Sequence, residues 1–168
     1  MDLSQITQAH VYDRETRLRG KVEKLGFDER ALTEVEHKTL GQVGVLTLPG
    51  RPHEALKGKI TIGHIDEQLE RSLANPTMTH DWQLHQKVDV SDAGGYSATK
   101  SHTIVWHAKF RFMKAGGVDT ALGEKATVEH EISIPSLKIY RLGDAEAIWE
   151  LDVWNDIYEI NGVPVYED

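Results

Sequence analysis

The 168-residue sequence contains no cysteine, and no apolar run in it is long enough to cross a membrane. The first absence excludes disulfides and thiol nucleophiles, but it fits a reducing compartment and an exposed particle equally well. The second excludes a transmembrane helix, which needs about 18 consecutive apolar residues. The opening stretch MDLSQITQAHVYDRETR also lacks a secretory apolar core. We therefore expect a soluble, unprocessed protein that does not enter membranes.

The sequence also has no block of like charge, although 27 acidic residues outnumber 19 basic ones and give a formal net charge of -8. Proteins that hold nucleic acid tightly need a basic patch that neutralises phosphates. That class is excluded, whereas a surface past which DNA slides without sticking is not. Acidity of this kind also maintains solubility.

Signatures of known catalytic sites are missing. The stretches Gly94-Gly95 and Gly116-Gly117 lack the strand, loop and helix order of a phosphate loop or dinucleotide fingerprint. Glu150 and Asp152 lie two residues apart, as an acid-base pair on one strand face would. Because acidic residues are so abundant, we interpret them as solvated carboxylates. We predict no catalytic residue and no cofactor.

Nine histidines raise the question of a metal site. His80 and His85 fall on one predicted strand, and His102 and His107 fall on the next. A spacing of five places each pair on opposite faces of its strand, whereas ligands must converge on one face. We predict no metal site. The alternative, a metal-dependent β-barrel enzyme, predicts bound metal after purification.

What the sequence does contain is period-two alternation, the pattern of half-buried strands. In THDWQLHQKVDV and SHTIVWHAKFRFMK the apolar positions are Trp82, Leu84, Val88 and Val90, then Ile104, Trp106, Ala108, Phe110 and Phe112. The polar positions are Asp81, Gln83, His85, Lys87 and Asp89, then Thr103, His107, Lys109 and Arg111. The two strands are predicted to pair, and VSDAGGYSATKS between them is predicted to be a long connecting loop.

Other segments extend the β pattern. EKATVEHEISIPSLKIYRL alternates until Pro135, which predicts a strand that is bent there or lies at an edge. The alternation that begins at Trp149 continues to Ile157, and this strand is predicted to form a hairpin with SLKIYRL. TRLRGKVEKLGF, ALTEVEHKTL and ALKGKITIG are also strand-like, and Gly41 to Gly44 are predicted to form a flexible hairpin tip.

One short helix is predicted, in IDEQLERSLANP. Asp66 can cap its start, Leu69 and Leu73 lie one turn apart, and Asn75-Pro76 ends it. With about seven to nine strands, the fold class is mainly β: a β-sandwich or barrel with one short α-helix, formed by residues 1–168 as a single domain.

The four tryptophans favour a partner chain at one position. Trp82, Trp106 and Trp149 share parity with aliphatic residues and are predicted to be core. Trp154 falls on the polar parity and is predicted to contact a partner. The alternative is a monomeric β-barrel or sandwich that binds a small ligand or carbohydrate through its tryptophans and remains at about 19 kDa.

Three stretches, in this order, give the chain a family resemblance. They are LTEVEHKTLGQVGVLTLP, a long hairpin with a glycine-containing tip; HEALKGKITIGHID, a strand ending in a glycine turn before the helix; and WELDVWNDIYEING. The closing pattern uses Trp149, Glu150, Leu151, Asp152, Asn155 and Asn161-Gly162-Val163. Together they cover most of residues 17 to 163. The chain resembles the major tail tube proteins of contractile-tailed bacteriophages and of the related R-type pyocins.

The resemblance implies a structural virion protein. It implies hexameric rings in which each subunit gives strands from two hairpins to a shared inner β-barrel, and rings that stack into a hollow tube. The implied partners are further copies of the chain, the tail sheath protein, the tape measure protein, and the baseplate and tail terminator proteins. DNA passes through the lumen without specific binding. The implied location is the phage tail, with assembly in the host cytoplasm.

The resemblance also suggests which residues serve the tube. The implied lumen-facing set is the polar parity: Asp81, Gln83, His85, Lys87, Asp89, Thr103, His107, Lys109 and Arg111. The implied contacts between subunits or rings are Leu40, Gly41, Gln42, Val43, Gly44, Trp154 and Asn155. The mixed charge of the first set would hold DNA weakly, because few phosphates are neutralised over any length.

Overall fold

A computed structural model describes residues 1–63, 66–117 and 120–167 of the chain. Within them lie twelve strands and one helix, so the mainly β class with one short helix is confirmed. The strands are β1 (Leu3–Asp13), β2 (Thr16–Arg17), β3 (Val22–Phe27), β4 (Leu32–His37), β5 (Leu46–His53), β6 (Leu56–Ile62), β7 (His80–Asp92), β8 (Gly95–Ala115), β9 (Val128–Arg141), β10 (Trp149–Asp152), β11 (Ile157–Ile160) and β12 (Val163–Pro164). The helix is α1 (Glu67–Leu73). His64 and Ile65, in the second stretch of the resemblance, lie outside the described residues.

Ten strands form one antiparallel sheet in the order β12-β11-β10-β9-β8-β7-β1-β2, with β6 on β9 and β3 on β6. β4 and β5 form a separate two-stranded sheet. β3 and β6 pack over one face of the sheet, where Phe27 of β3 stacks on Trp106 of β8 and Ile60 of β6 shares one hydrophobic core with Trp82 and Phe110. Within the described residues no helix has the length and apolarity to span a bilayer.

The core lies between these two layers and agrees with the predicted parity. Trp82 and Phe110 are almost completely buried, together with Ile60 of β6 and Leu137 of β9. The two aromatic rings meet edge to face at 5.2 Å, a geometry that adds about 0.5–1.5 kcal/mol to the burial of area. Alternation in β6 is equally regular, because Lys57 and Lys59 are exposed between its buried residues.

The helix is capped as predicted. The Asp66 carboxylate accepts a hydrogen bond from the Leu69 amide at 2.9 Å, and Leu69 and Leu73 are buried against the sheet. The pKa of Asp66 is lowered, first by that amide bond and then by the Lys21 ammonium 2.9 Å away. On the next turn, Glu70 Oε2 lies 2.9 Å from Nε2 of the fully buried His130. The helix is thus joined both to the residue that precedes β3 and to β9.

Pro135 does not place β9 at an edge, because β9 is a central strand. Before Pro135 it pairs with β6, through Leu56 and Ile134, and after it with β10, through Asp152 and Ser136. On the other side β8 runs alongside throughout, with a bulge where Arg111 faces Ser133. The missing amide of proline is tolerated at such an irregularity. The predicted bend is present as this bulge.

Two connections differ from the sequence predictions. The stretch predicted as a long loop is strand, because β7 and β8 continue to a tight turn that pairs Asp92 with Gly95. Gly95 has φ +101°, which suits glycine, and the Asp92 carboxylate accepts a bond from the Gly94 amide at 2.8 Å. The closing stretch is a hairpin of β10 and β11 rather than one strand, and Asn161-Gly162 returns the chain to β12.

Candidate functional site

One face of the sheet around β7 and β8 is largely polar and half-buried to exposed, and we call it the polar face. Direct cross-strand pairs join Asp81 to Lys109 and Gln83 to His107. Directly paired residues lie on the same side of a sheet. Seven of the nine residues predicted to face a lumen are therefore together on the polar face: Asp81, Gln83, His85, Lys87, Thr103, His107 and Lys109.

The other two residues of that set lie beyond irregularities in the ladder. Asp89 falls where the β7–β8 register shifts, and it is paired with Gln5 of β1 instead. Arg111 lies past the bulge of β9 and donates to Thr79 Oγ1 at 3.1 Å. Over the middle of the two strands this face is polar except at Val105, which pairs with His85 and is completely buried.

Side chains on the polar face hold one another in place. His107 Nε2 contacts Asp81 Oδ1, and His85 Nε2 lies 2.9 Å from Gln83 Oε1. The His85 ring packs on Tyr12 of β1 with centroids 4.6 Å apart. Burial lowers the pKa of His85, because it disfavours the charged imidazolium, and nearby His10 lowers it further.

Neighbouring strands extend the polar face beyond the predicted set. Lys138 of β9 pairs with His107 on one side and with Glu150 of β10 on the other. His10 of β1 pairs with His85. The alternation of SLKIYRL and WELD contained the signal for Lys138 and Glu150, but β1 gave none because its register slips between Ile6 and Gln8. Opposite charges alternate across the strands, so the face has no strong field of one sign.

The β4–β5 hairpin, which we call the arm, is amphipathic. Val35 is paired with Leu48, and Leu46 lies beside them, so these exposed apolar residues share one side. Glu34 and Glu36 lie on the other side, paired with Pro49 and Thr47. Within the described residues, β4 and β5 pair only with each other. An exposed apolar side of this kind indicates a surface that another molecule covers.

The predicted contact residues Leu40, Gly41, Gln42, Val43 and Gly44 lie at the tip of the arm. Gly41 has φ +86°, and the Thr39 amide donates to Gln42 Oε1 at 2.9 Å, so the tip is an organised turn. Leu40 and Val43 are fully exposed. The predicted hairpin is confirmed, and the contact assigned to its tip stays a prediction.

Trp154 and Asn155 occupy the turn between β10 and β11. The Asp152 carboxylate accepts bonds from the amides of Trp154 and Asn155 and from Asn155 Nδ2, at 3.0, 3.3 and 2.6 Å. Trp154 is 77% exposed. It lies in a turn and not on a strand face, so a hydrogen-bonded turn presents a large apolar side chain to solvent.

The described residues hold no group of three or more histidine, aspartate or glutamate side chains placed to bind a metal ion. His80 is buried against Phe110, with ring centroids 5.1 Å apart, and His85 lies on the opposite side of β7, as their spacing predicts. Trp82 and Trp149 are also buried. They form core and not an exposed platform for stacking sugars.

The edges of the sheet are open. Among the described residues, the outer edge of β1 is paired only near its end, where Tyr12 and Asp13 meet β2. At the far side of the sheet, β12 offers a two-residue edge. Unpaired edges, an amphipathic arm and an exposed tryptophan are features expected of a subunit that pairs with other chains.

The sequence matches a known protein family. Residues 4–168 match the family described as phage tail tube protein FII. The chain belongs to this family and is a structural protein of the tail tube.

A solved structure shows the same fold. A chain from the sheath-tube complex of PVC, an extracellular contractile injection system in its extended state, matches with a TM-score of 0.54 at 10% identity, over 82% of this chain and 91% of that one. A chain from the 6-fold symmetrised baseplate of the anti-feeding prophage AFP is more distantly similar, with a TM-score of 0.43 at 12% identity, over 79% and 90%. No curated protein matches the sequence.

Proposed function

We propose that the protein forms hexameric rings that stack into the inner tube of a contractile tail, and that it has no catalytic role. The family membership supports the tube, and the open edges support ring closure. Strand addition between subunits supplies main-chain hydrogen bonds without new side-chain contacts. Each chain then takes part as one domain of residues 1–168.

The polar face is the proposed lining of the lumen. Its alternating charges, such as Lys109 beside Asp81 and Lys138 beside Glu150, neutralise few phosphates along any length of DNA. Because each neutralised phosphate adds a salt-dependent increment of affinity, such a lining binds DNA weakly. DNA can then pass quickly into a target cell. We place Asp89 and Arg111 at the two margins of this lining.

The proposed partners follow from the tube. The sheath protein surrounds it, the tape measure protein fills it during assembly, and the baseplate and tail terminator proteins close its two ends. The similar PVC chain comes from a complex of a sheath with a tube, which supports the first of these. The proposed locations are the tail of the finished particle and the host cytoplasm during assembly.

Self-assembly is the direct test. We expect purified protein to sediment as rings or tubes at rising concentration, and electron micrographs to show hollow particles with sixfold rings. A protein that stays at about 19 kDa at millimolar concentration would contradict the proposal and favour a monomeric binding module.

The lumen assignment needs a separate test. The chain has no cysteine, so Lys109→Cys and the exposed Lys57→Cys each carry one thiol. In tubes, we expect a small maleimide to label Lys109→Cys readily and a polymer-linked maleimide to label it far more slowly than in monomers. Equal labelling of Lys109→Cys by the large reagent in tubes and monomers would place the polar face outside. Lys57→Cys is the control, because it shows how fast both reagents label an exposed thiol on another surface.

A further inference from the structure

An open cleft of about 480 Å³ lies on the core side of the sheet, where the cover given by β3 ends. Residues Leu25–Arg30 form one wall, and Leu84, Gln86 and Trp106 form the floor. Phe27 stacks on Trp106 with centroids 5.5 Å apart and an interplanar angle of 16°. The cleft therefore has an aromatic base that the rest of the chain leaves accessible.

The polar groups at the base of the cleft are already engaged. The Trp106 indole donates its N–H to Gln86 Oε1 at 2.9 Å. Arg30 lies over two indole rings, 4.8 Å from the Trp149 centroid and 5.8 Å from that of Trp106. Cation–π contacts of this kind favour the position of the exposed guanidinium over the rings by about 0.5–1 kcal/mol each. An occupant of the cleft would therefore meet apolar aromatic surface there.

The rim of the cleft carries two carboxylates against the single guanidinium of Arg30, so its net charge is negative. Asp28 and Glu29 line it and are exposed. A suitable occupant therefore has apolar side chains at its end and a positive charge beside them. In the arm, Leu40 and Val43 are exposed at the tip, and His37 and Lys38 lead into it.

The arm of a chain cannot reach its own cleft. β4 begins at Leu32, two residues after Arg30 in the cleft wall, and then runs six residues as a strand. At about 3.3 Å per residue, the tip lies roughly 20 Å along the arm from its base. The cleft and the tip of one molecule are thus held apart, although their chemistry is complementary.

We propose that the tip of the arm in one copy inserts into the cleft of a second copy. Leu40 and Val43 then cover Trp106 and Phe27, and Lys38 meets the acidic rim. The contact is heterologous, because each copy gives its tip to one neighbour and receives a tip from another. Contacts of this type close into rings or continue as filaments. The inference rests on the proposed tube, and it names the two surfaces that join its subunits.

Disulfide trapping tests the contact. In Val43→Cys/Glu29→Cys every chain carries a thiol at the tip and another at the rim, so mild oxidation of tubes should give a ladder of covalent multimers. A mixture of the two single variants should stop at dimers. The matched control, Val43→Cys/Arg71→Cys, keeps the tip thiol and moves the other to an exposed position on the helix, outside the lining of the cleft, so it should give no ladder.

Charge exchange gives a second readout. Lys38→Glu should raise the concentration needed for assembly about two- to fivefold, the range expected for one exposed ion pair. Adding Asp28→Lys should restore it. The same variants should unfold like the parent, because these side chains are exposed in the monomer.

The outcomes separate the two proposals. Tubes that form without the tip-to-rim ladder, or that give the same ladder in the control, overturn the docking of the tip in the cleft and leave the tube intact. Failure of the protein to form any ring or tube, together with absence of the ladder, overturns both.

Discussion

Replacing Gly58 by alanine should destabilise the monomer, because the site has no room for a methyl group. Gly58 lies in β6 between Phe27 of β3 and Ile132 of β9. A Cβ placed there would lie 2.7 Å from the Gly26 carbonyl oxygen and 3.1 Å from Ile134 Cδ1. The oxygen belongs to the backbone of a paired strand and cannot turn aside, so β3 and β6 must separate.

The magnitude follows from overpacking. Extra methyl groups in a filled core cost about 1–3 kcal/mol, and in a domain of this size each kcal/mol lowers Tm by about 2–4 °C. We therefore expect Gly58→Ala to lower Tm by about 2–12 °C, with a corresponding shift of the urea midpoint. Measurements at several low protein concentrations exclude a contribution from assembly, which stabilises folded subunits by mass action.

Gly26→Ala is the matched control. Gly26 is in the adjacent strand, its φ is outside the left-handed region, and no atom lies within 4 Å of a Cβ built there. Because alanine restricts the unfolded chain more than glycine does, this change should leave stability unchanged or raise it by about 0.4–1 kcal/mol. If Gly58→Ala were as stable as Gly26→Ala, the close packing of β3 on β6 would be refuted.

Three further predictions concern the helix, the turn and the dependence on pH. Glu70→Ala should lower the free energy of unfolding in urea by about 1–3 kcal/mol, because it leaves a buried polar atom of His130 without its partner. Glu70→Gln should lower it clearly less. Equal losses in the two variants would argue against the hydrogen bond between Glu70 and His130. Asp152→Ala should lower the free energy of unfolding by about 0.5–1.5 kcal/mol, because the turn loses its hydrogen bonds. Trp154→Ala should change it by less than about 0.5 kcal/mol. A larger loss for Trp154→Ala would mean that the indole packs on the body of the protein. Burial lowers the pKa of His80 below the ordinary value of 6.5. The unfolded chain therefore takes up a proton at a higher pH than the native state does. The free energy of unfolding should consequently fall as the pH drops below 6.5. His80→Phe should flatten this slope between about pH 7 and 5, and an unchanged slope would assign the effect to other groups.

The parts of the fold that local patterns determine were predictable. The helix has a cap, Asp66, and two apolar residues one turn apart, and both features act within a few residues. The parity of β7 and β8 was predictable because half-burial imposes it on every second residue. Trp82 and Trp149 are core for the same reason, whereas Trp106, which was also predicted to be core, is only partly buried and lines the cleft.

Other elements depend on contacts that a local pattern does not contain. β1 follows no strict alternation because its register slips, and it is recognised only by its pairing with β7. The turn between β10 and β11 has no glycine. Asp156 adopts φ +53° there, and the Asp152 side chain supplies the hydrogen bonds that stabilise the turn. The parity of the flanking residues therefore continues through the turn as if one strand ran across it.

The polar face illustrates the same limit. Its seven central residues followed from the alternation of two strands, but its extension to Lys138 and His10 required the order of the strands in the sheet. That order is set by long-range pairing. The cleft combines residues of β3, β7 and β8, and no stretch of sequence contains it.

The bulge at Pro135 constrains how the gene can change in length. Buried positions before it are even-numbered, Ile132 and Ile134, and those after it are odd-numbered, Leu137 and Ile139. Deleting one codon here would turn the second half of the strand inside out. Insertions and deletions among homologues should therefore be purged around Pro135, even where single substitutions on the exposed side of the strand are tolerated.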